Sequence, residues 1–156
     1  MKNIFLLCCT IFFFSCSKKQ QDVPVFKYAL EQKDSEYYLL NSDLKNGVAV
    51  FKYANANDVP QNLDLKFNIE KESLNLNQET YTLTLKTYSS SSLEFKMYQK
   101  KDVKNNISTL VFNKDYGLLA SVSAEANFVL LKDTITALEK EMFFKELFIN
   151  LNKIKF

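Results

Sequence analysis

The side chains that do most enzymatic chemistry are scarce in this chain of 156 residues. It has no His, no Trp and no Arg, so all twenty basic residues are Lys. Without His, the usual acid–base catalyst and the commonest transition-metal ligand are missing. Without Arg, no planar fork is available for phosphate or carboxylate. The three cysteines, Cys8, Cys9 and Cys16, all fall in the first sixteen residues, which excludes a Cys/His zinc site in the remainder. Carboxylate pairs, a Ser–Lys pair or an oxygen-ligated hard cation are what is left for chemistry. There is no DxDxDG-type loop, and two glycines cannot build a phosphate cradle. Glu70 and Glu72 lie two apart beside Lys71, in a polar context that reads as a solvated turn. Glu139 and Glu141 are two apart on a predicted helix, which does not bring them together. No catalytic, cofactor-binding or metal-binding residue is assigned, and an enzyme is not expected.

Aromatic residues are the more promising recognition groups. Fourteen Phe and eight Tyr are generous for a domain of this size. Period two would send Tyr37 or Tyr38, and Tyr98, outward, where rings can grip protein, carbohydrate or lipid. Cross-strand packing is the plainer explanation of the same rings. Tyr37, Tyr38 and Tyr98 are therefore the expected interaction surface.

The N-terminus has a different character. Lys2 and Asn3 precede an apolar run, Ile4 to Phe14, of eleven residues. That length suits the core of a signal peptide and falls short of the ~20 residues of a spanning helix. Ser15 and Cys16 follow, and the chain turns polar at once with "SKKQQD". The stretch Phe13-Phe14-Ser15-Cys16 resembles the lipobox of bacterial lipoproteins. Its two Phe replace the Leu and small residue of the commonest lipobox, a looseness similar to that of lipoproteins of the Bacteroidota. The resemblance implies removal of residues 1–15 and lipidation of Cys16. It further implies an outer-membrane lipoprotein of the cell envelope, facing the periplasm because Lys18 and Lys19, not acids, follow the cysteine. Asp133-Thr134-Ile135 resembles the Asp-Thr-aliphatic pattern of O-glycosylation in the same group, which makes Thr134 a candidate for modification. "NKDYGLLAS", Asn113 to Ser121, resembles a segment of small uncharacterised lipoproteins that implies no activity.

Removal of residues 1–15 leaves 156 − 15 = 141 residues, enough for one domain with a sizeable core. Nineteen Lys then face eighteen acids, and this balance argues against nucleic acid as a partner. Residues 16–24 read as a lipidated cysteine with a short tether, and 25–156 as a single β-rich domain.

Within that domain period two dominates. "NLDLKFNIEK" sets Leu63, Leu65, Phe67 and Ile69 against Asp64, Lys66, Asn68 and Glu70. "TYTLTLKTY" repeats the pattern with Tyr81, Leu83 and Leu85, and "SLEFKMYQK" with Leu93, Phe95 and Met97 against Tyr98. Such alternation predicts half-buried antiparallel strands. Further strands are expected at 25–30, 36–41, 48–54, 73–77, 107–113, 117–123 and 127–131. Asn46-Gly47 and the Ser89–Ser92 run mark hairpin turns. "VFKYA" occurs twice, at Val25–Ala29 and Val50–Ala54, and reads as two strands of similar composition. From about 134 to 153 the period becomes helical. Thr136 with Glu139 forms a capping box, Thr134 is a second N-cap candidate, and Leu138, Phe144, Leu147, Phe148 and Leu151 form an apolar face that Phe143 and Ile149 widen.

The expected fold is α+β, mainly β: an antiparallel meander sheet, curled or half-barrel, packed against one C-terminal helix. The expected role is a protein-binding or interaction module, held to the membrane through Cys16 and serving an envelope partner. A carrier of an apolar ligand in the curved sheet is the alternative, and an enzyme using carboxylates or Ser/Lys is a weaker one.

Overall fold

Alternating apolar and polar residues give ten strands, joined mostly by tight turns. In this computed structural model, which describes residues 22–90, 92–101 and 106–152, they are β1 (Val23–Ala29), β2 (Glu36–Lys45), β3 (Val48–Asn55), β4 (Leu63–Asn68), β5 (Ser73–Leu76), β6 (Glu79–Ser90), β7 (Leu93–Lys101), β8 (Ile107–Asn113), β9 (Gly117–Val122) and β10 (Asn127–Leu131). Every strand pairs antiparallel with its neighbour in the chain, and β10 returns to β1, with Phe26 opposite Leu131 and Ala29 opposite Phe128. The meander thus closes into a barrel, and closure leaves no terminal strand edge among the described residues. The first strand starts at Val23, ahead of the expected 25, because Val23 pairs with Leu40 and packs onto the lumen core.

Turn residues fix the register. Asn46 and Gly47, with φ of 51° and 75°, make the two-residue turn between β2 and β3 that right-handed strand twist favours. Asn77 and Gln78 also have positive φ, and the Asn77 amide and side chain exchange hydrogen bonds of 3.0 Å with the backbone of Asp64. That exchange holds a conformation that side chains ordinarily avoid.

The barrel wall has two dry faces over part of its circumference. The lumen is filled by Val25, Tyr38, Phe51, Tyr53, Leu65, Phe67, Tyr98, Phe112 and their neighbours. A second cluster, with Tyr28, Tyr88, Phe95, Met97, Val111, Leu119 and Val129, lies on the outer face. Strands in the overlap are buried throughout: Thr109 to Phe112 of β8 and Gly117 to Ala120 of β9 are all inaccessible. Period two fades there because both faces are covered.

The outer cover is α1 (Ala137–Asn152), which buries Phe144 and Leu147. Each such side chain contributes about 1.5–3 kcal/mol relative to exposure. Its start is the capping box: the Glu139 carboxylate accepts from the Thr136 amide at 2.7 Å, and Thr136 Oγ1 accepts from the Glu139 amide at 3.3 Å. Thr134 takes no part in the cap and lies exposed before the helix. At the other end no basic residue sits in the last turn of α1, and Lys86 of β6 takes that place by donating to the Leu151 carbonyl at 2.6 Å.

Lys86 reaches the helix because β6 bulges. Leu83 opposes Tyr98 and Thr87 opposes Lys96, so three residues of β6 face one of β7. Thr84 Oγ1 donates to the Met97 carbonyl and accepts from the Lys86 amide, tying the bulge together. The extra residues push Leu85 out of the wall until it is 94 % exposed, and Leu83 is exposed as well, so of the expected shared face of Tyr81, Leu83 and Leu85 only Tyr81 is buried.

Candidate interaction surface

Three places gather side chains capable of recognition: the two rims of the barrel and the outer face of α1. One rim carries a polar cluster. Lys27 of β1 pairs with Glu36 of β2 at 3.2 Å, and Tyr38 donates to the same carboxylate at 3.0 Å. Asn55 donates to it at 3.3 Å, and Gln61 accepts from Lys27 at 3.5 Å. Burial above all, with the Glu36 charge beside it, pushes the Tyr38 hydroxyl up to about 12, so it stays protonated near neutral pH and acts as a donor. Every group in this cluster has a partner in it.

The opposite rim, formed by the turns after β2, β4, β6 and β8, is more open. A hollow of about 430 Å³ lies among Asp43, Leu44, Phe51, Phe67, Ile69 and Lys114. A second of about 330 Å³ shares Phe67, Ile69 and Lys114 with it. Below them the rings of Phe51 and Phe112, on opposite sides of the barrel, meet at 5.4 Å, and Phe67 and Phe112 at 5.1 Å. The hollows are thus floored by aromatic packing. Deeper still, Tyr53 of β3 crosses the lumen and accepts from the Leu118 amide of β9 at 2.7 Å. Gly117 permits this approach: a Cβ there would stand 2.4 Å from the Tyr53 hydroxyl, and its φ is +101°. Burial raises the Tyr53 hydroxyl far above its usual range, so it too remains neutral.

The third place is the outer face of α1. Leu138, Met142 and Ile149 are 67 %, 61 % and 51 % exposed, directed away from the barrel that Phe144 and Leu147 pack against. A shallow hollow of about 540 Å³ runs along the C-terminal half of this face, between Lys145, Phe148, Ile149 and Asn152. The single broad apolar face expected from sequence is therefore divided. Phe143, Phe144, Leu147, Phe148 and Leu151 pack on the barrel, whereas Leu138 and Ile149 point to solvent.

Of the tyrosines expected to form an interaction surface, only Tyr37 is exposed, where its ring meets Phe26 edge-on at 5.6 Å. Tyr38 and Tyr98 are buried in the lumen. The alternation expected along β7 holds, since Phe95 and Met97 lie on the opposite face from Tyr98. What differs is that the face taken for solvent is the inside of a closed barrel. Glu72 ends at Lys96, 2.6 Å away, and Glu139 is held by the cap, which keeps its carboxyl below the usual range through the Thr136 amide and then the Thr136 hydroxyl. Cys16 lies outside the described residues. Among the described residues no helix is long and apolar enough to cross a membrane, and no three carboxylates gather as a metal site. No protein-family model, curated protein or solved structure matches the chain.

Sequence reasoning missed the outward residues Met142 and Leu85. Met142 had a usable signal, its spacing of four from Leu138 and seven from Ile149. Leu85 had none, because a bulge is a property of pairing and not of one strand.

Proposed function

We propose that this protein is a lipid-anchored protein of a bacterial envelope whose barrel is a rigid platform for binding another protein. The supporting observation is the row of exposed apolar side chains on α1, Leu138, Met142 and Ile149, on a helix whose opposite face is already satisfied by the barrel. A helix that needs only one apolar face to fold gains nothing in its own stability from a second one. Exposed apolar side chains grouped on one face in this way mark protein contact sites. Lipidation at Cys16 would keep the platform at the membrane, as the lipobox resemblance implies. The carrier reading draws on the open rim alone, and the ring contacts of Phe51, Phe67 and Phe112 leave an apolar ligand little room to enter the lumen.

Native mass spectrometry of the protein, purified gently from its host's membranes, tests the reading. The expected result is a stoichiometric second polypeptide with the protein carrying its Cys16 lipid. A lipid-sized adduct beyond the anchor, with no second polypeptide, would favour the carrier instead.

A further inference from the structure

We infer that the outer face of α1 is one half of a helix–helix seam, and that its partner is an amphipathic helix of another protein flanked by basic residues. This deepens the interaction reading above and rests on it.

The spacing points to a helix as the occupant. Residues 138, 142, 145, 149 and 152 step by four, three, four and three along α1, the repeat that keeps one stripe of a helix facing another helix. Turning by about 100° per residue, these positions stay within a narrow sector centred opposite Leu147, which is buried on the barrel. Leu138, Met142 and Ile149 supply the apolar knobs. Lys145 and Asn152 interrupt them, as polar seam positions do where register has to be chosen. The hollow of about 540 Å³ beside Phe148 and Ile149 is a hole into which a partner's side chain can insert.

Charge selects the kind of helix. The same rotation sets Glu139 and Glu146 on one flank of the seam and Glu141 on the other, all on exposed positions. Lys140 points to the barrel and is engaged with the Gln32 carbonyl at 2.6 Å, so it does not offset them, and exposed Lys145 within the seam balances only one of the three acids. Flanking charges set partner choice in paired helices, so these acids favour Lys or Arg at the matching positions of the partner. A second copy of this chain would bring acidic flanks together, and an anionic lipid surface would meet the same three carboxylates.

Binding of two synthetic helical peptides to the full lipidated chain in detergent tests this directly. Both carry Leu and Ile at the seam positions; one has Lys at the flanks and the other Glu. We expect the Lys peptide to bind on the order of tenfold more tightly or better, with the preference reduced by added salt. Met142→Glu should weaken the Lys peptide by a similar factor, and joint Glu141→Lys and Glu146→Lys changes should reverse the preference. All three positions are exposed, and an unchanged circular dichroism spectrum would verify that each variant folds. Equal binding of both peptides, or binding insensitive to Met142→Glu, would overturn the assignment. So would a dimer of the chain that Met142→Glu dissolves, because the seam would then be a self-interface. A native complex with another protein that survives Met142→Glu would sink the seam while leaving the platform reading intact. Absence of any such complex would sink the platform.

Discussion

The pentapeptide VFKYA stands in β1 and again in β3, on the two strands that flank β2, and it faces opposite ways. In β3, Phe51 and Tyr53 point into the lumen while Lys52 is in solvent. In β1, Phe26 and Tyr28 point outward beneath α1, and Lys27 turns toward the lumen's end. Pairing with β2 decides which: Tyr53 opposes the inward Leu40, whereas Phe26 opposes the outward Tyr37. A one-residue difference in register is enough to exchange every side chain between faces. Identical side chains are thus asked for different work, and both tyrosines find a backbone amide to accept from. Tyr53 holds Leu118 inside the barrel at 2.7 Å, and Tyr28 holds Ile135, ahead of α1, at 2.9 Å.

The largest divergence should come from the phenylalanines. Phe51 is buried and meets Phe112 across the lumen, so Phe51→Ala should cost about 3–5 kcal/mol. Phe26 is half-buried at the margin of the outer cluster, and Phe26→Ala should cost about 1–2 kcal/mol. Urea unfolding of the two variants measures the difference directly. Equal losses would mean that the outer cluster is packed as tightly as the lumen and that the contrast of faces carries no energetic weight.

That contrast also marks where sequence reasoning stopped. Strands were legible wherever one face is wet, as in β4, where Leu65 and Phe67 alternate with exposed Asp64 and Lys66. The phase of the alternation was not, because VFKYA carries no information about which of its faces is inside. Closure was not legible either, since it depends on β10 meeting β1 across the whole length of the domain. Tyr38 and Tyr98 were misplaced for this reason: their faces are polar-sided only if the sheet stays open. The capping box of α1 was legible, because it is local chemistry between Thr136 and Glu139, but the helix begins at Ala137 and not at the expected 134. Its exposed face was not legible, because Leu138 and Ile149 share the helical spacing of the packed residues and read as part of one broad apolar face.

A next, smaller separation lies in the tyrosine hydroxyls. Tyr53→Phe leaves the Leu118 amide buried without an acceptor, at a cost of about 1–3 kcal/mol. Tyr28→Phe frees the Ile135 amide in a part-buried position that water can reach, and should cost about 0.5–1.5 kcal/mol. Gly117→Ala sharpens the inner case, because it adds a Cβ against the Tyr53 hydroxyl at a φ of +101°. Strain and overpacking together should make that variant worse than Tyr53→Phe, by about 1–3 kcal/mol. Adding Tyr53→Phe to Gly117→Ala should then cost less than the sum of the single changes, because the atom that clashes is the one removed. Strict additivity in thermal or urea unfolding would show that the close approach is not what demands glycine, leaving the positive φ as the whole reason.

The smallest predicted difference separates the lysines. Lys27 is the cation of a half-buried cluster, paired with Glu36 and set 5.2 Å from the Phe128 ring. Lys27→Met keeps the aliphatic stem in place and removes only the charge. Glu36 then keeps the Tyr38 hydroxyl and the Asn55 amide as donors, which limits the damage. A fully buried pair broken on one side costs about 3–5 kcal/mol, and an exposed pair is worth about 0–1. The partial exposure here places Lys27→Met between them, at about 1–2 kcal/mol. Lys52→Met, at the matching position of β3, changes a solvent-exposed residue and should stay within about 0.5 kcal/mol. Repeating both unfolding curves at about 1 M salt adds the decisive control, because screening shortens the reach of exposed charges to about 3 Å and leaves partly buried pairs largely intact. A Lys27 effect that persists in salt assigns it to the enclosed network. One that vanishes would reduce the pair to surface electrostatics, and the two copies of VFKYA would then differ in their aromatic residues alone.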